Sequence, residues 1–364
     1  MPDTLNVRQI KALPKDDRRP FAAHLLYLKA ELRTAKNGKP FAVAHLGDRT
    51  GSFTTTCFND SQPFSFFSGI EPGTLVEVQG VPDYFNDKFS PKLREVAHVP
   101  PDKLAQLGGV EAFQEGPDES VDSLEAGLRE IVADIPHSGL RATVEAALDL
   151  HGAQLRSCPA AIAMHHAYPG GLIEHTTRMA RAARVLLPLY PDVDPSLALA
   201  GIVLHDFGKI LEYAQAPDTG KTRSGLLQGH VVLGYRMARQ AALKAKLDED
   251  SLERLEHVIL SHQGELQWGA AVMAATPEAV FVSMVDNLDA KMGMVERALR
   301  TTPETDAFSE FIPGLQATLL TSPIAHGEST TPQGGSAAAT SGQGQAPAGE
   351  TKADDGPSLF DLKD

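Results

Sequence analysis

Six side chains of the kind that bind metals lie between residues 175 and 286, each in or directly after an apolar, helix-like segment. They are His175, His205, Asp206, His230, His262 and Asp286. The segment from Ser196 to Glu212 is almost entirely apolar until it reaches the His205–Asp206 doublet. A carboxylate at the end of a buried helix is costly unless a cation compensates its charge. Neutral imidazoles with two carboxylates are what a site for two divalent first-row metals needs.

The spacing of apolar residues places the other histidines on helical stripes. One stripe contains Leu172, His175, Met179 and Leu186; a second contains His230, Leu233, Met237 and Ala241; a third contains Leu252, Leu255, Ile259 and His262. A single histidine on an apolar face is usually an ordinary core residue. That explanation weakens when a His-Asp doublet, three more histidines and a lone aspartate recur in one helical region.

The order H…HD…H…H…D resembles the HD superfamily of metal-dependent phosphohydrolases. The resemblance implies that the six residues are metal ligands. The minimal pattern H…HD…D would imply one metal, whereas the two intermediate histidines, His230 and His262, favour two metals bridged by Asp206. We therefore expect two divalent ions, with Mn²⁺ favoured and Co²⁺, Fe²⁺ or Mg²⁺ as alternatives.

Composition is ordinary for a globular protein, with 364 residues, 42% hydrophobic and 22% charged. No apolar run reaches the ~20 residues that span a bilayer, and the N-terminus lacks the apolar core of a secretory signal. Two cysteines, Cys57 and Cys158, are too few for a disulfide framework and lack zinc-site spacing. We expect both to be buried thiols in a cytoplasmic protein without a membrane partner.

Charge is unevenly distributed along the chain. The net charge is −14, but residues 1–100 carry 13 Lys and Arg against 11 Asp and Glu, whereas the remainder carries 20 against 36. An acidic balance disfavours nucleic acid as a partner. The first hundred residues are therefore the only plausible phosphate-facing surface.

Short alternating runs separated by turn signals such as Asn37-Gly38 and Pro72-Gly73 occupy the N-terminal region. They predict five strands, with a short helix near 61–68, closed into a small barrel. The Leu46-to-Gly51 turn before an aromatic-bearing strand resembles an OB-fold, which implies single-strand binding by base stacking and backbone cations. The predicted contacts are Phe53, Phe58, Tyr84, Phe85 and Phe89 for stacking, and Arg33, Lys36, Lys39, Arg49, Lys88 and Lys92 for charge. The alternative for each aromatic residue is that it simply fills the barrel.

The predicted fold class is multidomain α+β, a five-stranded OB-type β-barrel followed by an all-α HD-domain bundle. The expected segments are an extended or weakly ordered lead-in at 1–18, the OB-fold at 19–99, a linker at 100–118, the helical domain at 119–321 and a disordered tail at 322–364. Two helices, near 121–135 and 139–151, should pack onto the bundle. An apolar cluster at Ser358–Leu362 ends the tail, and is either a docking motif for a protein partner or an unremarkable terminus.

The motifs HHAYPGGL at 165–172, HDFGK at 205–209 and VDNLDAKM at 285–292 narrow the resemblance. Together with the OB–HD order they resemble the YhaM-type 3′→5′ exoribonuclease family over about residues 19–300. The resemblance implies release of 5′-mononucleotides from single-stranded RNA, with DNA as a further substrate, and permits a homo-oligomer. The long tail departs from the family core, and the modest charge of the barrel leaves the strength of RNA binding open.

Five further residues near the expected metals are candidates for a role in the site, three of them for catalysis beside Asp206 and two for orienting the ligands. Lys209 can aim at the phosphate from one helical turn beyond His205, or be a solvated lysine. His165 and His166 can contact phosphate or protonate the leaving group, or be ordinary loop residues. Asp289 and Lys291 can orient the ligands, or pair structurally.

Two other functions fit parts of the pattern. The first is an HD-type nucleotide or cyclic-nucleotide phosphohydrolase whose barrel serves assembly; the second is a non-catalytic OB-fold nucleic-acid-binding protein with a relic HD domain. The sequence HDFGKI differs from the HDxxED motif of (p)ppGpp hydrolases, and the GYP motif of the cyclic-di-GMP type is absent.

Overall fold

The computed structural model describes residues 4–17, 19–85, 88–162, 166–214 and 220–321. The predicted tail at 322–364, with its Ser358–Leu362 cluster, lies outside them, as does His165. The N-terminal region comprises α1 (Val7–Lys11), β1 (Phe21–Thr34), β2 (Pro40–Asp48), β3 (Gly51–Phe58), α2 (Gln62–Phe67), β4 (Leu75–Val81), β5 (Tyr84–Phe85), β6 (Lys88–Phe89) and β7 (Lys92–His98).

The five longer strands form one antiparallel sheet in the order β3-β2-β1-β4-β7, and β5 pairs with β6 as a separate hairpin. The first half of β1 pairs with β4 and its second half with β2, and the register shifts between Tyr27 and Lys29. Such a bulge bends a long strand so that it serves two neighbours. The predicted five-stranded, OB-like sheet is thereby confirmed.

Closure of the sheet into a barrel, which the strand pattern predicted, is wrong. Within the described residues no ladder joins the edge strands β3 and β7; Thr55 Oγ1 donates instead to the Pro91 carbonyl at 2.7 Å. Gln62 of α2 occupies the edge of β7, donating to Val96 O at 2.7 Å and accepting from Val96 N at 3.0 Å. The backbone of Val96 in β7 is thus satisfied by a side chain rather than by pairing with β3.

The sequence suggested an extended or weakly ordered lead-in, but the structure has the helix α1 at Val7–Lys11. Asn6 caps α1 in a reciprocal capping box with Gln9, and Val7 and Ile10 are fully buried in the core of the sheet domain. Aspartate Asp48, at the end of β2, accepts from Val7 N at 2.8 Å. Helix α1 therefore completes the N-terminal core.

A linker with its own helical turns leads into the helical domain. Its apolar side chains pack on Leu26, Leu75 and Val99 at the edge of the sheet. The helices are α3 (Pro101–Gln106), α4 (Val121–Ala133), α5 (Ser138–Ser157), α6 (Gly171–Leu186), α7 (Pro195–Leu204), α8 (Lys209–Glu212), α9 (Arg223–Ala245), α10 (Glu249–Ser261) and α11 (Pro277–Thr301), with short 3₁₀ turns at Val110–Phe113, Leu187–Leu189 and Leu266–Trp268. No helix in the described ranges is long and apolar enough to cross a membrane.

Helix α7 is the centre of the helical domain. Every residue from Ser196 to Leu204 is buried, because this helix is apolar on all sides and is surrounded by α5, α6, α10 and α11. Asp194 caps it by accepting from Ser196 N and Leu197 N. Its C-terminal end delivers the His205–Asp206 doublet to the interior.

The two regions contact each other at the end of α11. Arg8 Nε donates to Thr302 O at 2.7 Å, and Arg300 forms an ion pair with Glu115 of the linker. These contacts attach the sheet domain and the linker to the long helix that also carries Asp286.

Candidate metal centre

Five helices bring the six predicted ligands to one place. His175 lies in the second turn of α6, His205 and Asp206 follow α7, His230 lies in α9, His262 is the C-cap of α10, and Asp286 lies in the middle of α11. All are buried except His230 and Asp286, which are partly exposed. The six side chains, spread over more than a hundred positions, thus converge as the sequence predicted.

Four of them form a first cluster. His175 Nε2 lies 3.3 Å from His205 Nε2 and 3.3 Å from Asp286 Oδ1. His205 Nε2 lies 3.2 Å from Asp206 Oδ2. Ligands that share one divalent ion at ~2.0–2.2 Å stand about 3.0–3.6 Å apart. Asp206 Oδ2 lies 3.8 Å from His175 Nε2, and Asp286 Oδ1 lies 4.0 Å from His205 Nε2, so the four atoms are close to the spacing of a coordination shell.

Three form a second cluster on the other side of Asp206. Its Oδ1 lies 3.6 Å from His230 Nε2 and 3.5 Å from His262 Nε2. Asp206 therefore turns one carboxylate oxygen to each cluster.

The environment of the buried Asp206 carboxylate shows whether these residues suit a cation. Its Oδ1 is completely buried and accepts no hydrogen bond within the described part of the chain. A buried, unpaired carboxylate oxygen is costly unless it coordinates a cation. The donor set, imidazole with carboxylate, suits first-row divalent metals.

The ring orientation of the histidines also fits. Nδ1 of His205 and Nδ1 of His262 each lie 2.7 Å from a backbone carbonyl oxygen of their own helix. A carbonyl oxygen only accepts, so Nδ1 carries the proton and Nε2 presents its lone pair to the cluster. His175 Nδ1 faces Asp289 Oδ2 at 2.8 Å, and His230 Nδ1 faces Glu212 Oε2 at 3.1 Å. All four imidazoles are therefore turned with Nε2 inward.

Gly208 lets α9 approach the His205–Asp206 doublet. A Cβ at position 208 would lie 1.8 Å from the carbonyl oxygen of His230 and 2.5 Å from Gly234 N. Only a glycine permits this contact. Gly208, the glycine of the HDFGK motif, thus sets the distance between Asp206 and His230 of the second cluster.

Lys209 is buried rather than solvated. Its Nζ lies 2.5 Å from Asp206 Oδ2, and burial, which lowers the lysine pKa, is outweighed by the Asp206 charge, which raises it. Burial opposes ionisation of Asp206, but the positive charge of Lys209 is the largest opposing cause and holds the Asp206 pKa well below its usual range. The ammonium group therefore lies beside the Asp206 carboxylate, which faces both clusters.

His166 does not face the clusters, contrary to the predicted substrate contact or leaving-group protonation. Its Nδ1 lies 2.8 Å from Tyr168 Oη and 3.0 Å from Glu174 Oε2, and its Nε2 lies 3.1 Å from Asp289 Oδ2. Both ring nitrogens are therefore engaged by the protein. Despite burial, which lowers it, the pKa of His166 is raised by the Asp289 and Glu174 carboxylates.

Asp289 contacts both His166 and His175, which is the position that its predicted orienting role requires. Burial lowers the pKa of His175, but hydrogen bonds to Asp286 and Asp289 outweigh burial and raise it to about 10. Arg178 Nε lies 3.0 Å from Asp289 Oδ1 and fixes its other oxygen. Lys291 is exposed, and among the described contacts it has none with the clusters, so the predicted orienting role does not fit it.

Three site residues were not predicted from the sequence. Glu212 orients His230, Glu174 supports His166, and Gln263 lies directly against the second cluster. Glu174 and Glu212 each follow two apolar residues, at 172–173 and 210–211, and this was the available signal. Gln263 gives no such signal in a polar turn.

The predicted nucleic-acid contacts divide by exposure. Phe53 is 5% exposed and packs edge-to-face on Phe89, so its predicted stacking role is wrong. Phe89 is only partly exposed, between Phe53 and Tyr84, and helps cover the core. Arg49, partly buried, donates to the linker carbonyl of Gly116 at 3.4 Å. Phe58, at 57%, and Phe85, at 72%, are exposed.

One row of side chains across the sheet has the composition of a single-strand surface. Arg33 is opposite Phe41 in β1–β2, and Phe41 is opposite Phe58 in β2–β3. Directly opposed residues of antiparallel strands project from the same face. The exposed cations Lys36 and Lys39 flank the row in the β1–β2 turn. Phe41 was missed because its run alternates like any core strand.

A family model described as HD domain matches residues 172–291, the range that contains all six ligands. The chain is 31% identical over 304 residues to the 3′-5′ exoribonuclease YhaM of Shouchella clausii, covering 83% of this chain and 93% of the relative. It is 29% identical to YhaM of Bacillus subtilis over 277 residues, covering 76% and 86%, and 28% identical to that of Listeria innocua over 293 residues, covering 80% and 91%. A solved structure of a replication protein A heterotrimer bound to single-stranded DNA matches 30% of this chain and 91% of its own, at 16% identity and a TM-score of 0.22, a likeness too low to support a conclusion.

The fold and the clustered ligands define an HD-domain enzyme preceded by an OB-like domain. The relatives then specify the family: this chain belongs to the YhaM-type 3′-5′ exoribonucleases.

Proposed function

We propose that this protein is a metal-dependent 3′→5′ exoribonuclease that releases 5′-mononucleotides from single-stranded RNA. The observation that carries the proposal is the bridging position of Asp206, with one oxygen facing each of two ligand clusters. The named activity of the relatives agrees with it.

The first cluster, His175, His205, Asp206 and Asp286, would hold one divalent cation, and Asp206, His230 and His262 would hold the other. Mn²⁺ is the favoured metal, because the ligands combine imidazole with carboxylate. Bound cations would supply Lewis-acid stabilisation of the scissile phosphate and activation of a water.

The residues of the chain do the remaining work. Asp206 keeps the two clusters in fixed register, while Asp289 and Glu212 hold His175 and His230 with Nε2 inward. Lys209 contributes a buried positive charge beside the reacting phosphate, at the place where negative charge develops in the transition state.

The sheet domain would hold the upstream single strand. The row of Arg33, Phe41 and Phe58, flanked by Lys36 and Lys39, offers two stacking surfaces and three cations. Exposed Lys88 and partly exposed Tyr84, on the β5–β6 hairpin, are further candidates. This division places RNA affinity in one domain and hydrolysis in the other.

Two buried free thiols, Cys57 and Cys158, are compatible with the reducing cytoplasm, which we propose as the location. Self-association and docking through Ser358–Leu362 stay predictions from the sequence.

A nuclease assay with two labels tests the proposal. With Mn²⁺ and single-stranded RNA, a 3′ label should appear at once as mononucleotide, while a 5′ label should shorten stepwise. Asp206→Asn, which keeps the size of the side chain, should abolish both. Hydrolysis of free or cyclic nucleotides alone would support the phosphohydrolase alternative, and RNA binding without turnover would support the non-catalytic one. The same assay with single-stranded DNA decides whether DNA is a substrate.

A further inference from the structure

The second ligand cluster has one more polar side chain at its centre. Gln263 directly follows His262, and its Nε2 lies 2.8 Å from His262 Nε2 and 3.2 Å from His230 Nε2. These two imidazole nitrogens are the atoms that also face Asp206 Oδ1. The carboxamide thus lies directly against both histidines of the second cluster.

The backbone places it there. Helix α10 ends at Ser261, and Gly264, at φ +79°, closes the turn through a hydrogen bond from its N–H to Ser261 O at 2.9 Å. A Cβ at position 264 would lie 2.6 Å from Ser283 Oγ, so the turn is seated against α11. Gln263, in the middle of this turn, is directed back to the cluster instead of outward.

The chemistry of the contact indicates its role. Because Nδ1 of His262 faces a carbonyl oxygen, its Nε2 is an acceptor, and the carboxamide donates to it. A cation would use that same lone pair, and the NH₂ group could then no longer donate there. The nitrogen and oxygen of a carboxamide are nearly isosteric, so a half-turn of its terminal torsion presents Oε1, a good ligand for a hard cation, at the same position.

We propose that Gln263 Oε1 is a fourth protein ligand of the second cation. With Asp206 counted in both clusters, through Oδ2 in the first and Oδ1 in the second, the first cluster has four protein ligands and the second has three without Gln263. The inference rests on the proposed two-cation function, and it adds that the two sites differ in their affinity for the cation. The first site has two carboxylates, while the second shares one carboxylate and is completed by a neutral amide. The second cation should therefore bind more weakly.

Titration of the metal-stripped full chain with Mn²⁺ tests this, read by calorimetry and by the electron paramagnetic resonance signal of a coupled Mn²⁺ pair. Wild type should bind two Mn²⁺ in distinguishable steps. Gln263→Ala should weaken only the second step, by about tenfold or more, and lose the coupled signal at limiting Mn²⁺. Gln263→Glu, which adds a charged oxygen ligand, should tighten the second step.

Gln267→Glu is the matched control, since this exposed glutamine lies in the adjacent 3₁₀ turn and should leave both steps unchanged. Unfolding in EDTA shows whether the variants are intact; if Gln263→Ala is not, Gln263→Glu, which keeps the length and shape of the side chain, decides. Two unaltered steps in Gln263→Ala, or no tightening in Gln263→Glu, would overturn the ligand assignment alone. A wild type that binds a single Mn²⁺ would instead refute the two-cation site.

Discussion

A methyl group added at Gly208 should separate the second ligand cluster from the first. The new Cβ of Gly208→Ala would lie 1.8 Å from His230 O, whereas ordinary contact needs ~3.4 Å. Helix α9 must therefore retreat by roughly 1.6 Å, several times the ~0.2 Å tolerance of a metal–ligand distance. His230, already 3.6 Å from Asp206 Oδ1, would move out of shared coordination.

The expected result is specific. Gly208→Ala should bind one Mn²⁺ with wild-type affinity, bind the second at least about tenfold more weakly, and lose most RNA hydrolysis. Overpacking should also lower stability by about 1–3 kcal/mol. Calorimetric titration with Mn²⁺, thermal unfolding in EDTA and the two-label RNA assay measure the three effects.

Two control variants separate the causes. His230→Ala deletes the ligand without overpacking, so it should reproduce the metal defect without that stability cost. Gly152→Ala adds a methyl group to α5 at 3.8 Å from its nearest neighbour, and should be neutral or stabilising by ~0.5–1 kcal/mol with full activity. A folded Gly208→Ala that binds two Mn²⁺ as tightly as wild type would refute the role assigned to this glycine.

Three further outcomes are expected. Asp289→Asn removes the carboxylate that holds His175 Nδ1 at 2.8 Å. This variant should weaken the first Mn²⁺ step by about 10–100-fold while leaving KM for RNA unchanged. An effect on the second step alone would contradict the role of Asp289 in orienting His175. Because the pKa of His175 is raised to about 10 in the metal-free cluster, its proton competes with the cation, so Mn²⁺ affinity should rise as pH increases from 6 to 9, by up to ~tenfold per unit, with a proton released on binding. Calorimetry in buffers of different ionisation enthalpy measures that proton, and a pH-independent affinity would exclude the linkage. Phe58→Ala should weaken binding of single-stranded RNA by ~1–3 kcal/mol without changing hydrolysis of a dinucleotide. Phe53→Leu, at a buried position, should alter the unfolding temperature and leave RNA affinity intact. Equal losses of RNA binding in both variants would rule out Phe58 as a specific stacking residue.

The sequence could predict the six ligands because chemistry and periodicity act locally. A charged doublet after a wholly apolar helix, and histidines on apolar stripes, are anomalies that can be read along the chain. The sheet strands and α2 were predictable for the same reason, since alternation and turn residues specify them within a few positions.

The sequence by itself determined which residues could bind cations and that an OB-like sheet precedes a helical domain. Only the tertiary structure decided which role each side chain around the ligands and the sheet has. In the sequence, His166 and Phe53 look like candidates for contact with the substrate. In the structure, Phe53 is buried in the core, and His166 is buried against carboxylates, so both support neighbouring residues. The edge of β7 is satisfied by Gln62, and the second cluster is faced by Gln263, through contacts between residues that local pattern cannot relate. Periodicity specifies which face of an element is buried, whereas the partner on that face depends on how distant elements pack, and a separation of a few tenths of an ångström decides whether a side chain ligates, orients or fills space.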